Sequence, residues 1–322
     1  MSRRWVMALG GAHVTIDTRL DLTEANRQIL ERGQSCLYSL TESAELAGPA
    51  AVTVVSGGPG SARVEGDPQD GGIRIVAPDH ELGAEDVIYL SYLALESQMN
   101  RRGLITLHGA AVERDGQAVL LLGHAGAGKT SAALVLCREQ GFRLLGNDLV
   151  VVGGVDDARA VAGTTHLRLR RSAVERCIPD LLDLFGQATG DPWREKTDVT
   201  PEQAGISLGT VPARVGAVVF VRVEEDYPQV VASDGQSLVH RLNLYENALR
   251  YARGASTPWL VGANHRFGPF VPSFDSAAAH AARTATLERL MACSWYIAGP
   301  TRLVAAQIAG KILTASPTEG GY

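Results

Sequence analysis

The chain has 322 residues, 45% of them hydrophobic and 20% charged, with a formal net charge of −5 at neutral pH. That composition can fill the core of one large domain or two modest ones, and it excludes wholesale disorder, a collagen-like chain and a coiled coil. The acidic balance speaks against a protein that coats nucleic acid. Cys36, Cys137, Cys177 and Cys293 are widely spaced with no CxxC pair, so they read as free thiols of a reducing cytoplasm and offer no zinc spacing.

The first residues, MSRRWVMALGGAHVTIDT, hold too short an apolar stretch for a targeting segment. No run reaches the roughly eighteen apolar residues of a membrane helix. The expectation is a soluble, cytoplasmic protein. Residues 1–82 are expected to form a small α/β domain. Strand-like patches cover 6–16, a helical spacing runs through Leu22, Ala25, Ile29 and Leu30, and strands are predicted at 51–55 and 73–76 around a glycine-rich stretch at 57–66. No catalytic constellation is visible there, so its expected role is structural or to cover substrate.

The second domain is expected over 83–322. It opens with a helix from Gly83 that has acidic residues in its first turn and Arg101-Arg102-Gly103 at its end. A strand is predicted over 104–113, then the hairpin signal Asp115-Gly116 and a returning strand at 118–122. A glycine-rich loop at 123–128, a helix over 129–140 stopped by Gly141, and a strand over 143–152 follow. Further on, a short strand is predicted at 167–169, a helix over 172–185, a polar loop over 191–205 and a buried strand over 215–223. Helices are predicted over 243–253, 277–291 and 301–313, with a frayed tail after them.

The loop carries the chemistry. Gly123-His124-Ala125-Gly126-Ala127-Gly128-Lys129-Thr130 fits G-x-x-x-x-G-K-[ST], and an apolar strand leads into it and a helix out of it. Glycines let successive backbone N–H groups turn toward phosphate oxygens, and the helix adds its positive end. In this pattern Lys129 holds the β and γ phosphates, Thr130 ligates Mg²⁺, and Ser131 follows on the first helical turn. The nucleotide is ATP, or GTP. Lys129 is also one of only three lysines, with Lys196 and Lys311. Asp148 lies nineteen residues after Lys129, on the next strand, where it can meet both the γ phosphate and the metal.

Residues 107–152, LHGAAVERDGQAVLLLGHAGAGKTSAALVLCREQGFRLLGNDLVVV, resemble the core of the HPr kinase family. The shared order is His-Gly on the first hairpin strand, a glycine loop ending in GKS or GKT, a helix, and an acidic pair on the next strand. The resemblance implies an α/β fold with a phosphoenolpyruvate-carboxykinase-like P-loop kinase core and a mixed sheet, and ATP-dependent phosphorylation of a hydroxyl group. By position His108 matches the family histidine, residues 123–130 the phosphate loop, and Asp148 the second acidic residue. Asn147 stands where the first is normally Asp. The acidic-Arg-Gly-x-Gly segment that HPr kinases use near their protein substrate is missing downstream. The chain therefore looks more like the divergent, biosynthetic-pathway branch of the family.

Phosphoryl transfer needs charge neutralisation, alignment and a proton acceptor. Asp148 is expected as general base or metal-linked carboxylate, with His108 beside it and Lys129 on the phosphates. His124 sits at a variable loop position. Arg168 and Arg170 alternate in LRLR and share a face, read as a solvated face or an anion site. Lys196, in the polar WREK loop, is a candidate to close over the γ phosphate. Glu224-Glu225-Asp226 reads as an exposed turn. The leading expectation is a kinase for a small hydroxylated acceptor, a nucleoside or an amino-acid-derived intermediate of specialised metabolism. A peptide or protein serine kinase and a non-catalytic nucleotide-binding regulatory module are the alternatives. Neither nucleic acid nor membrane is expected as a partner, and a homo-oligomer stays open.

Overall fold

A computed structural model describes residues 2–31, 38–43, 51–56, 63–67, 72–77, 83–154, 157–188, 190–249 and 275–315. The chain forms two units. The first comprises Met1–Thr106, Gly153–Val155 and Tyr245–Leu287, and the second comprises Leu107–Val152, Asp156–Leu244 and Glu288–Tyr322.

In the first unit, β1 (Arg3–Leu9) and β2 (Ala12–Thr18) form an antiparallel hairpin. Gly10 and Gly11 both take positive φ, 55° and 79°, as a two-residue turn matched to strand twist requires. Helix α1 (Thr23–Glu31) follows, then β3 (Ser39–Glu42), β4 (Val52–Ser56), β5 (Arg63–Asp67), β6 (Gly72–Ala77) and α2 (Ala84–Arg101). The six strands lie in the order β3-β1-β2-β4-β6-β5, with parallel pairs at β2–β4 and β4–β6. Strands β3 and β5 escape the sequence reading because both are short edge strands, held by main-chain pairing to β1 and β6 and not by apolar alternation.

Helix α2 packs on β1, β2, β4, β6 and α1. Its residues from Asp86 to Asn100 are buried apart from Gln98. A helix buried on nearly every side has no polar face to mark its partner. For this reason the units do not divide at the expected 82/83 boundary: α2 belongs with the sheet it covers. Under it lies a polar cluster. Glu96 accepts from the Thr106 hydroxyl at 2.6 Å and from Asn100 Nδ2 at 3.1 Å. Fully buried Arg283 donates to Asn100 Oδ1 at 3.4 Å and pairs with Asp275 at 2.9 Å. Burial pushes the Glu96 carboxyl up to about 7, against the pull of the Thr106 and Asn100 hydrogen bonds and the Arg283 charge.

The second unit is built on a seven-stranded sheet. The elements after α2 are β7 (Leu104–Arg114), β8 (Gln117–Leu122), α3 (Lys129–Glu139), β9 (Arg143–Gly153), β10 (Arg159–Gly163), β11 (Leu167–Arg170), α4 (Arg171–Cys177), β12 (Lys196–Val199), β13 (Ala213–Val223), β14 (Val231–Asp234), α5 (Leu238–Leu249), α6 (Ala277–Ala292), β15 (Ser294–Gly299) and α7 (Thr301–Ala315), of which the end of α5 and most of α6 belong to the first unit. The order is β10-β9-β7-β8-β13-β15-β14. β7 and β8 form the expected hairpin, turning at Asp115 and Gly116 with φ of 54° and 77°. β13 runs parallel to both β8 and β15, so the sheet is mixed. α3 and α7 pack together over β8, β13 and β15, closing an apolar core that includes Val119, Leu121, Leu136, Val219, Ile297 and Ile308.

Several predicted elements are corrected. The helix expected over 172–185 ends at Cys177, because Pro179 lacks the N–H that would continue it, and a 3-10 turn over Pro179–Phe185 takes its place. The loop expected over 191–205 contains β12, which pairs antiparallel with β11 in a separate two-stranded sheet. β15, an inner strand, was hidden as six residues between two helical patterns, and β10 and β14 were not anticipated. α5 begins at Leu238, ahead of the predicted 243, and the predicted residues 250–253 lie outside the described residues. Among the described residues no helix is long and apolar enough to cross a membrane.

Candidate phosphate-loop site

The loop between β8 and α3 is held from behind by the end of β13. Val223 N donates to the carbonyl of Ala127 at 2.9 Å. Gly128 takes φ 84° as the residue before α3, and a Cβ there would lie 2.3 Å from the Cβ of Val223. Only glycine meets both conditions. At Gly123 a Cβ would lie 2.8 Å from the carbonyl oxygen of Val221.

The predicted residues divide into two groups. Ala125, Gly126, Gly128, Lys129, Thr130 and Ser131 line a cleft of about 530 Å³ together with His108, Asn147 and Asp148. Gly123, His124 and Ala127 do not line it. Gly123 and Ala127 face the β13 support, and His124 is exposed. Lys129 Nζ donates to the carbonyls of Gly123 and His124, both at 3.0 Å. The ammonium is thereby held across the mouth of the loop.

Thr130 donates its hydroxyl proton to Asn147 Oδ1 at 2.8 Å, and Asn147 Nδ2 donates to the carbonyl of His166 at 3.2 Å. Asn147 therefore links the loop to β9 and to the approach to β11. Asp148, next along, protrudes. Asn147 N donates to the Thr164 carbonyl at 2.6 Å, Leu149 N donates to the Thr164 hydroxyl at 3.1 Å, and Thr164 N returns a bond to the Leu149 carbonyl at 3.0 Å. Thr164 thus holds the residues on either side of Asp148 and leaves Asp148 itself bulged, with φ 74°. Its carboxylate is exposed and lies 3.0 Å from Nδ1 of His108 on the neighbouring strand β7. The close approach of β9 and β10 here needs two glycines, since a Cβ on Gly146 would fall 2.8 Å from Cα of Gly163.

A second wall of the cleft is formed by Arg168, Arg170 and Lys196, which the sequence offered as anion or phosphate contacts, together with Trp193, to which it assigned no part; β11, β12 and the segment before β12 bring them together. Arg171 fixes that segment. Its guanidinium pairs with Glu195 at 2.7 Å and donates to the carbonyls of Phe185 and Gly186 at 3.2 and 2.8 Å. Glu225, expected in an exposed turn, instead accepts from the Thr301 backbone N–H at 3.0 Å at the start of α7, from the Thr301 hydroxyl and from Cys177 Sγ at 3.3 Å. Burial pushes the Cys177 thiol up, with Glu225 adding to it, so Cys177 is an inert thiol of the cleft wall.

Fold and site together define a mixed α/β protein with a glycine loop gripping a helix N-terminus beside a protruding carboxylate. No family model matches the chain, and no curated protein sequence matches it. Among solved structures it is similar to the HPr(Ser) kinase/phosphatase from Coxiella burnetii, at 14% identity, covering 40% of this chain and 77% of that one, with a TM-score of 0.24. A likeness of that size leaves family and activity to be judged from the site's own chemistry.

Proposed function

We propose that this protein is an ATP-dependent, Mg²⁺-assisted kinase that transfers the γ phosphoryl group to a hydroxyl of a small-molecule acceptor, on a P-loop core of the phosphoenolpyruvate-carboxykinase kind. One observation carries the reading: the loop lysine, the Thr130 hydroxyl and the His108–Asp148 pair all face a single cleft. Lys129 exchanges its two loop carbonyls for phosphate oxygens, and the loop amides and the α3 N-terminus take the remaining charge. The loop grips only the phosphates, so GTP serves the same chemistry. The oxygen donors at hand, the Thr130 hydroxyl, the Asn147 amide oxygen and the Asp148 carboxylate, suit Mg²⁺, which binds through few protein ligands plus phosphate. When bound, the ion neutralises charge on the β and γ oxygens.

Asp148 takes the proton of the acceptor hydroxyl, and His108 orients that carboxylate. The acceptor oxygen bonds to the γ phosphorus, the bond to the β–γ bridging oxygen breaks, and ADP leaves. The test is calorimetric titration of the full chain with Mg·ATP, followed by mass spectrometry of hydroxylated metabolites and serine peptides incubated with it. Binding abolished by Lys129→Ala, with a phosphate gained by a metabolite, is the expected result. Transfer to peptides alone would move the reading to a peptide kinase. Binding with no transfer to any acceptor would leave a regulatory module, and absence of nucleotide binding would end the reading.

A further inference from the structure

The second wall of the cleft holds a charge arrangement that an antiparallel pair ordinarily avoids. In the β11–β12 register Leu167, Leu169 and Val199 turn into the core, and the alternate residues face outward. On that outward face Arg168 stands opposite Asp198, a complementary pair 3.8 Å apart. One step along, Arg170 stands directly opposite Lys196. Directly opposed residues place their Cβ atoms about 5 Å apart, and like charges there are destabilising. Lys196 has no ion-pair partner among the described residues. Among the described residues Arg170 has only the indole face of Trp193, its guanidinium 5.9 Å from the ring centroid. Trp193 is a large apolar side chain left 58% exposed.

The arrangement is also held in place. The Arg171–Glu195 pair fixes the residues between Trp193 and Lys196. Ser172 N donates to the Pro192 carbonyl, and Trp193 N to Asp191 Oδ1 at 2.9 Å. Two opposed cations and a flat apolar face, kept rigid at the edge of a cleft, form a ready site for an anion attached to a planar group. The phosphate tail of the nucleotide already has Lys129, the loop amides and the helix terminus.

We infer that Arg170, Lys196 and Trp193 form the acceptor subsite, and that the acceptor is an anionic small molecule whose carboxylate or phosphate sits between the two cations while a planar part lies on Trp193. The inference rests on the kinase reading and names the substrate class of that site.

The probe is phenyl phosphate, titrated onto full-length protein saturated with Mg·AMP-PNP and followed by the indole fluorescence that disappears in Trp193→Phe. Benzyl alcohol is the neutral control. Saturable quenching by phenyl phosphate alone is expected, weakened at least tenfold in Arg170→Ala/Lys196→Ala, with AMP-PNP affinity within threefold of wild type. The melting temperature of Lys196→Gln without ligand is expected to rise, since the repulsion is relieved, whereas a purely structural role for Lys196 would lower it.

Equal quenching by the neutral control, or equal binding to the double variant, would overturn the inference. So would a matching loss of AMP-PNP affinity in the double variant, which would give the cations to the nucleotide. If AMP-PNP binds and phenyl phosphate does not, the subsite fails alone. If AMP-PNP does not bind, the kinase reading fails and the subsite with it.

Discussion

Asp148 combines two properties that pull against each other. Its φ of 74° costs an L-residue about 1 kcal/mol, yet the bulge is what lifts its carboxylate to His108 and the cleft. Asp148→Asn tolerates the same backbone and replaces the carboxylate, proton acceptor and metal donor alike, with a neutral amide. Phosphoryl transfer is expected to fall about 10²- to 10⁴-fold, with ATP affinity within a few-fold by calorimetry. Asp148→Gly is expected to abolish transfer while raising the unfolding free energy by about 0.5–1 kcal/mol in a denaturant titration. An equally active Asn variant would remove Asp148 from the chemistry. Glu96 makes a separate prediction. Its folded value of about 7 lies above the usual 4.5, so the folded state holds the proton more tightly than the unfolded one. That contribution is complete below pH 4.5 and is lost as pH rises toward 7, a fall on the order of 3 kcal/mol. Denaturation midpoints measured at pH 5 and pH 8 should show the decline, and Glu96→Gln should flatten it.

At the scale of elements, the loop and β13 act as one piece. Gly128→Ala forces a side chain both into the left-handed region and onto Val223. It is expected to cost about 1–3 kcal/mol and to lower nucleotide affinity at least about tenfold, read by thermal unfolding and titration. Val223→Gly relieves the contact but not the backbone, so the double variant should recover only part of the loss. The loop, its helix, the preceding hairpin and the strand bearing Asp148 were all legible in the sequence, because glycine, Asp-Gly and long apolar runs act locally. The His108–Asp148 proximity followed from the same order of elements. The bulge at Asp148 was not legible, since it depends on Thr164, a residue of the next connection. Nor was the β11–β12 wall. Four-residue strands carry little periodicity, and the opposition of Arg170 and Lys196 exists only once register is fixed. The same holds for Glu225, whose role depends on Thr301, far along the chain.

For the whole molecule, the separation expected at residue 82 would cut α2 away from the sheet it covers. A fragment of residues 83–322 would expose Val87, Leu90, Leu93 and Leu95, all buried in the intact chain. It is expected to bind a hydrophobic dye and to elute as aggregate on size exclusion, where the full chain does not. A soluble, dye-silent fragment would show that α2 stands without its sheet.

The last stretch of the chain, from Glu288 onward, supplies β15, which lies between β13 and β14, and α7, which covers the core beside α3. During synthesis the ribosome therefore delivers the glycine loop long before the strand that completes its sheet. Until β15 emerges, the edge of β13 from Val218 to Val223 lacks its parallel neighbour and is open to pairing with another chain.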